Sequence, residues 1–281
     1  MIASGIHDIV VAGGVESMGH ISFADAAAVM GEYGWAYSPE LLEKYNLVNQ
    51  GISAEMIADK WDISRTELDE LGVRSHARAL QATEEGRFER EMVPMTVGDE
   101  TYMTDQGIRP GTSVETLAGL KPAFKEDGKI TAGNASQVSD GAAAVMLMSR
   151  ERADELGLKA RARIVDTTTV GVDPVIMLTG PIPATRKILE RNSMGIGDVD
   201  LVEINEAFAS VVLAWEKELK PDMDRVNVNG GAIAIGHPLG STGARLMTSL
   251  LHEMERDDKE MGLVTMCCGG GVGTATLIER V

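Results

Sequence analysis

Short apolar runs and helical stripes alternate along this chain. Asp8-Ile-Val-Val-Ala12 is too short for a helix and reads as a strand, followed by a turn at Gly13-Gly-Val-Glu-Ser-Met18. Similar runs predict strands at Ala142–Met148, Arg163–Thr167, Leu201–Ile204, Gly262–Met266 and Thr274–Ile278. Helices are expected near Pro183–Arg191 and Ala207–Leu219. A further helix, Thr242–Arg256, carries Leu246, Leu250 and Met254 at i, i+4, i+8. Met1–Gly5 reads as the last turn of a helix closed by Gly5.

Residues 20–130 have a different texture. Ser64-Arg-Thr-Glu67 is a capping box that opens a helix with Leu68, Leu71, Ser75 and Ala79 on one face, ending near Gly86. Tyr102–Lys121 has no clear period and is expected to be an ordered loop. The stretch is read as an insertion on a sheet-based core, with a binding role. Outside it the pattern repeats. The order helix, Gly262, strand Leu263–Met266 and Gly269-Gly-Gly271 echoes helix end, Gly5, strand Ile9–Ala12 and Gly13-Gly14, and each is followed by a matching later strand. The expected class is α/β, built of two similar halves.

Composition narrows the partners. The 281 residues are 44% hydrophobic, which is enough for a substantial core, and the 31 glycines suit many strand-to-helix turns. A net charge of −17 argues against nucleic acid or an anionic membrane as partner. An anionic ligand would need a local site of backbone amides, helix N-termini and a few cations. The only cysteines are Cys267 and Cys268, so no disulfide framework is expected. No basic-then-apolar leader opens the chain and no apolar run reaches membrane-spanning length, so a cytoplasmic location is expected. The five histidines show no metal-ligand spacing.

Four segments fall at strand ends or strand–helix turns, where open α/β sheets build sites. They are Thr131–Ser136 with Ser139–Ala144, Asn205-Glu-Ala-Phe-Ala209, Gly230–Arg245 around Gly236-His-Pro-Leu-Gly240, and Cys267-Cys-Gly-Gly-Gly-Val-Gly273. Taken alone, each residue has a plainer reading: His237 held in a Gly-rich turn, Asn205 a helix N-cap, Cys267 a small buried hydrophobe, Gly269 a tight turn.

Together these segments resemble the signature motifs of the thiolases, in the family's order, and the resemblance covers essentially the whole chain. It implies a duplicated αβαβα layered fold with an inserted loop domain. Residues 1–19 would be what the chain holds of the first half, ahead of the loop domain at 20–130. Residues 131–159 would be the last strand and helix of that half, and 160–281 the second half. It implies acyl transfer through a cysteine thiolate, cleaving a 3-ketoacyl-CoA with CoA, or the reverse Claisen condensation. No cofactor is held permanently, and coenzyme A is a substrate.

The resemblance also assigns roles. His237 activates the nucleophile and binds a thioester oxygen, and Cys267 is the acid/base, a task for a thiol whose pKa is depressed. Asn205 holds a water facing the substrate oxygen, and Gly269 donates a backbone N–H to a second oxyanion site. Ala132 and Ser136 lie beside the pantetheine arm, Phe208 near the acyl end and Arg109 near the nucleotide phosphates, while Met177 lines the acyl pocket.

Two departures stand out. The family's nucleophilic cysteine lies on the helix leading into the strand that matches Ile9–Ala12, and neither Cys267 nor Cys268 is in that place. The first half is therefore expected to be truncated and the chain catalytically incomplete. The alternatives are a split thiolase with an N-terminal partner chain and a non-catalytic acyl-CoA-binding or assembly protein. A homodimer or homotetramer is implied for a complete enzyme. Asn49-Gln-Gly51 replaces the His-Met-Gly typical of short-chain biosynthetic members, which favours degradation of longer or bulkier substrates.

Overall fold

Strand β1 (Ile9–Ser17) pairs antiparallel with β4 (Asp140–Met148), in register from Ile9↔Met148 to Ser17↔Asp140. The computed structural model in which this is seen describes residues 1–34 and 36–281. Before β1, the Gly5 amide donates to Ile2 and the Ile6 amide to Met1, the bond pattern of a helix end, with Gly5 at φ +69°. The expected turn at Gly13–Met18 is instead mostly strand. Gly13, Gly14 and Val15 pair with Ala144, Ala143 and Ala142, so the partner strand supplies a full ladder that overrides the weak strand preference of glycine.

Between these strands lie α1 (Phe23–Tyr33), α2 (Pro39–Lys44), α3 (Gln50–Lys60), α4 (Arg65–Glu84), a hairpin of β2 (Met95–Val97) and β3 (Glu100–Tyr102), and α5 (Val114–Ala118). The capping box at α4 forms as the sequence predicts. The Glu67 amide donates to Ser64 Oγ at 3.2 Å, and the Ser64 amide donates to the Glu67 carboxylate at 2.7 Å.

After α6 (Arg150–Glu155) the chain builds β5 (Ala162–Gly171), α7 (Pro181–Arg191), β6 (Leu201–Ile204), α8 (Ala209–Leu219), α9 (Ala232–Ile235), α10 (Thr242–Arg256), β7 (Met261–Cys268) and β8 (Val272–Arg280). The sheet order is β5-β8-β7-β6, with β6 parallel to β7 and the other neighbours antiparallel. Thus β7–β8 is the counterpart of β1–β4, as the internal echo predicts. Helix α10 packs against both sheets and forms the middle layer, and α7 covers the far face of the larger sheet. The outer face of β1–β4 leaves Ile9, Val11, Val15 and Met146 exposed.

One hydrophobic cluster joins Ile188, Ile204, Val212, Trp215, Leu263 and Leu277 to Ala54, Ile57 and Leu68 of α3 and α4. The inserted stretch is therefore fused into the main core from α3 onward. A second cluster unites Leu201, Val264 and Ile278 with Leu246, Leu250 and Met254, which is the stripe read from the sequence. Strand alternation explains the split. Val202 and Ile204 face the first cluster, while Leu201, and with it Glu203, faces α10.

Candidate active site

The parallel strands β6 and β7 end side by side, with Ile204 opposite Thr265 and the Asn205 amide donating to the Thr265 carbonyl at 3.1 Å. Asn205 thus lies just past one strand end, and Cys267 and Gly269 lie at the end of its neighbour. Asn205 is buried and is not an N-cap, because α8 starts later, with Phe208 at the cap position. Its side-chain amide lies 3.1 Å from His237 Nε2.

The other ring nitrogen fixes the tautomer. His237 Nδ1 is 2.6 Å from Thr242 Oγ1, and that hydroxyl donates to the Pro238 carbonyl at 2.8 Å. The only hydroxyl proton being used there, Thr242 accepts from Nδ1–H, and Nε2 carries a lone pair that accepts from the Asn205 amide. Burial, and then the nearby Arg245 charge, lower the His237 pKa to about 4, so the imidazole is neutral near pH 7. A neutral ring with a free-base Nε2 is the form able to take a proton. Asn205 Oδ1 is buried without a partner among the described residues, which leaves an acceptor for a bound group.

The turn carrying His237 is held from two sides. Glu206 accepts from Ser75 Oγ at 2.6 Å, Asn227 Nδ2 at 2.9 Å and the Ile233 amide at 3.2 Å. On the other side, a Cβ on Gly14 of β1 would lie 1.8 Å from the Gly240 carbonyl oxygen, and one on Gly141 of β4 would lie 2.6 Å from Pro238. Glycines at these places let bare backbone of the small sheet rest on the His-Pro turn.

Cys267 is 5% exposed, and burial, with neighbouring Cys268 adding, pushes its pKa up to about 12. The depressed thiol expected from the sequence is not what the structure holds. Desolvation in the main core outweighs the backbone hydrogen bond that lowers it, and the thiol is neutral near pH 7. Cys268, next along the strand, faces the opposite side and is half-buried.

The expected coenzyme A residues fall into two groups. The 131–136 segment runs antiparallel to 207–209: the Ser136 amide donates to Ala207, the Ala209 amide donates to Asn134, and Ala135 bridges Phe208. This brings Ser136 beside the Asn205–Phe208 segment, while Ala132, four residues earlier, is exposed and lies outside these pairings. The Phe208 ring meets Phe124 edge-on at 5.9 Å between centroids. Met177 is buried in the core cluster that also holds Phe208 and Cys267, which is a filler's place as much as a wall's. Arg109 lies apart and exposed, its backbone amide donating to His76 Nδ1 at 3.2 Å.

Sequence reading passed over Thr242, five residues after His237 and inside the quoted motif, and Glu206, whose neighbour Asn205 drew the attention. It also passed over Gln50 as a neighbour of the oxyanion turn: a Cβ on Gly269 would lie 3.0 Å from Gln50 Nε2. Among the described residues, no group of three or more His, Cys, Asp or Glu is placed to hold a metal ion.

Comparison with known proteins places the whole chain in one family. Residues 1–151 match the family profile "Thiolase, N-terminal domain" and residues 158–280 match "Thiolase, C-terminal domain". The chain is 46% identical over 286 residues to the steroid 3-ketoacyl-CoA thiolase FadA6 of Mycobacterium tuberculosis, covering 100% of this chain and 70% of the relative. It is 46% identical over 290 residues to an acetyl-CoA acetyltransferase of Shinella zoogloeoides, covering 100% and 74%. The crystal structure of the Bacillus anthracis acetyl-CoA acetyltransferase superposes with a TM-score of 0.87 at 42% identity, covering 100% of this chain and 74% of that one.

Proposed function

We propose that this chain, which belongs to the thiolase family of coenzyme A-dependent acyltransferases, supplies the proton-transfer and oxyanion groups of thiolysis. The observation that carries the reading is the Asn205–His237 pair at 3.1 Å, set beside Cys267 at the ends of two parallel strands. His237 Nε2 takes the proton of an attacking thiol. The thiolate adds to C3 of the ketoacyl-CoA, the C2–C3 bond breaks, and its electron pair leaves on C2 as the enolate of acetyl-CoA. Cys267 gives its Sγ proton to C2, a step suited to a thiol that burial keeps protonated. Its thiolate is then reprotonated by the incoming CoA, whose sulfur attacks the acyl carbon, and the first thiolate leaves and takes back the proton held on His237 Nε2. Gly269 N–H and the Asn205–His237 pair face the two oxyanions.

The acyl-carrying thiolate remains to be supplied. The 281 residues contain only Cys267, the proton donor, and Cys268, on the other side of its strand. In this reading the nucleophile comes from outside these residues, in the same polypeptide or on a separate subunit. Arg109, Ala132, Ser136 and Phe208 are assigned to coenzyme A and Met177 to the acyl pocket. Asn49-Gln-Gly51, in place of the His-Met-Gly of short-chain biosynthetic members, favours degradation of longer or bulkier acyl groups. The reading carries with it a cytoplasmic location and a symmetric dimer or tetramer.

The test is intact mass after incubating the purified chain with acetyl-CoA. No acetyl adduct is expected. Thiolysis is expected once a segment with the nucleophile is supplied, and it should fall roughly 10²–10⁴-fold in His237→Ala. An adduct on Cys267 with release of CoA at an enzymatic rate would overturn the assignment.

A further inference from the structure

Glu203 breaks the pattern of its strand. The other residues of β6 are Leu201, Val202 and Ile204, all buried and apolar, yet Glu203 is itself only 3% exposed. It lies on the face toward α10, two residues before Asn205. Facing it on α10 is Arg245, whose Nη1 is 3.4 Å from Glu203 Oε2 and whose Nη2 is buried without a partner among the described residues. Arg245 stands three residues after Thr242, on the same side of the helix, and Thr242 is the residue that holds His237. A buried cation set against a carboxyl group adds little stability compared with an apolar pair, so its presence calls for another role. Here it joins the two elements whose ends must meet.

We propose that Arg245, seated by Glu203, is a positioning residue for the catalytic pair, tying the end of α10 that holds His237 to the end of β6 that presents Asn205. The charge of the guanidinium also bears on the imidazole and helps keep it neutral. The groups that face this cation come from three segments. They are Glu203 on β6, Glu91 ahead of β2, and Asp105 after β3, while Glu206 acts on Glu203 from just beyond the strand. Glu91 in turn faces His252 of α10 at 3.4 Å and Arg256. Burial raises Glu203, Glu91 and Asp105 above the usual carboxylate range, so the cluster is not a surplus of negative charge around one cation.

The inference rests on the reading of His237 as the proton-transfer group, but its readout is the ring's own titration, which is independent of turnover. The whole chain, labelled at histidine and asparagine, is titrated by NMR, with His237 and Asn205 assigned from His237→Gln and Asn205→Ala. In Arg245→Gln, the His237 midpoint is expected to rise by about one unit or more, the effect of losing a nearby cation, and the Asn205 side-chain amide signals to move. Arg245→Lys is expected to return both reporters toward the unaltered chain. A folded Arg245→Gln that leaves both reporters in place would overturn the proposal. So would an Arg245→Lys that moves them as far as Arg245→Gln does. If Arg245→Gln fails to fold, Glu203→Leu with Arg245→Met replaces the pair by apolar groups. The same displacement of both reporters is then expected, and unmoved reporters again refute.

Discussion

Replacing Gly14 by alanine tests the contact between the small sheet and the His-Pro turn. The added Cβ would stand 1.8 Å from the Gly240 carbonyl oxygen, whereas ordinary contact begins near 3.4 Å, so the two backbones must part by about 1.6 Å. No rotamer can relieve the clash, because the obstructing atom is main chain. Overpacking of this kind costs about 1–3 kcal/mol or more, against a gain of about 0.4–1 kcal/mol from a stiffer unfolded chain. A net loss of roughly 1–2 kcal/mol in urea unfolding is expected, together with a shift of the His237 ring resonance, since Gly240 is three residues away. Gly31→Ala is the control. It lies in α1, where nothing stands within 4 Å of the new methyl group, and a gain of about 0.5–1 kcal/mol is expected. If Gly14→Ala matched the control in stability and left the His237 resonance unmoved, the seating argument would be wrong.

Two further outcomes follow from the same geometry. The folded pKa of His237 is depressed from 6.5 to about 4, so the stability it allows is present above pH 6.5 and lost as pH falls to 4, at most about 3 kcal/mol. The Glu203 value is raised to about 8, so its contribution is complete below 4.5 and lost as pH rises through 8. Stability measured by urea at several pH values should therefore fall on both sides, with the alkaline limb flattened in Glu203→Gln; an alkaline limb unchanged in that variant would contradict the burial argument. Iodoacetamide at pH 8, followed by peptide mass analysis, should modify half-buried Cys268 well before Cys267, which stays protonated and enclosed; Cys267 reacting first would show it to be an exposed thiolate.

Much of the second half could be read from the chain. Strand Leu201–Ile204 and helix Thr242–Arg256 form with the expected bounds because their apolar residues meet one another across a single interface. Asn205 and His237 were recognised through motifs, and their meeting depends on a parallel strand pair that joins residues far apart. Gly13–Met18 was misread because the partner that makes it a strand lies beyond the whole inserted stretch. The enclosure of Cys267 is not legible in the sequence, because burial depends on what packs over β7, which no local pattern records. Glu203 did carry a sequence signal, a carboxylate inside an apolar strand, that gained meaning only once Arg245 was seen opposite.

The pairing of β1 with β4 has a kinetic meaning. Its registered ends, Ser17 and Asp140, flank the entire insertion, so closing this ladder carries a large loop-entropy cost, and among the described residues it is two-stranded. The larger sheet and its helices bury their own core without it. The small ladder is therefore expected to open at a lower free energy than the larger sheet. Since Gly14 and Gly141 hold the His-Pro turn, the order of the imidazole is borrowed in part from the less protected of these two sheets. Any ligand that favours the ordered turn would be felt as slowed amide exchange along β1.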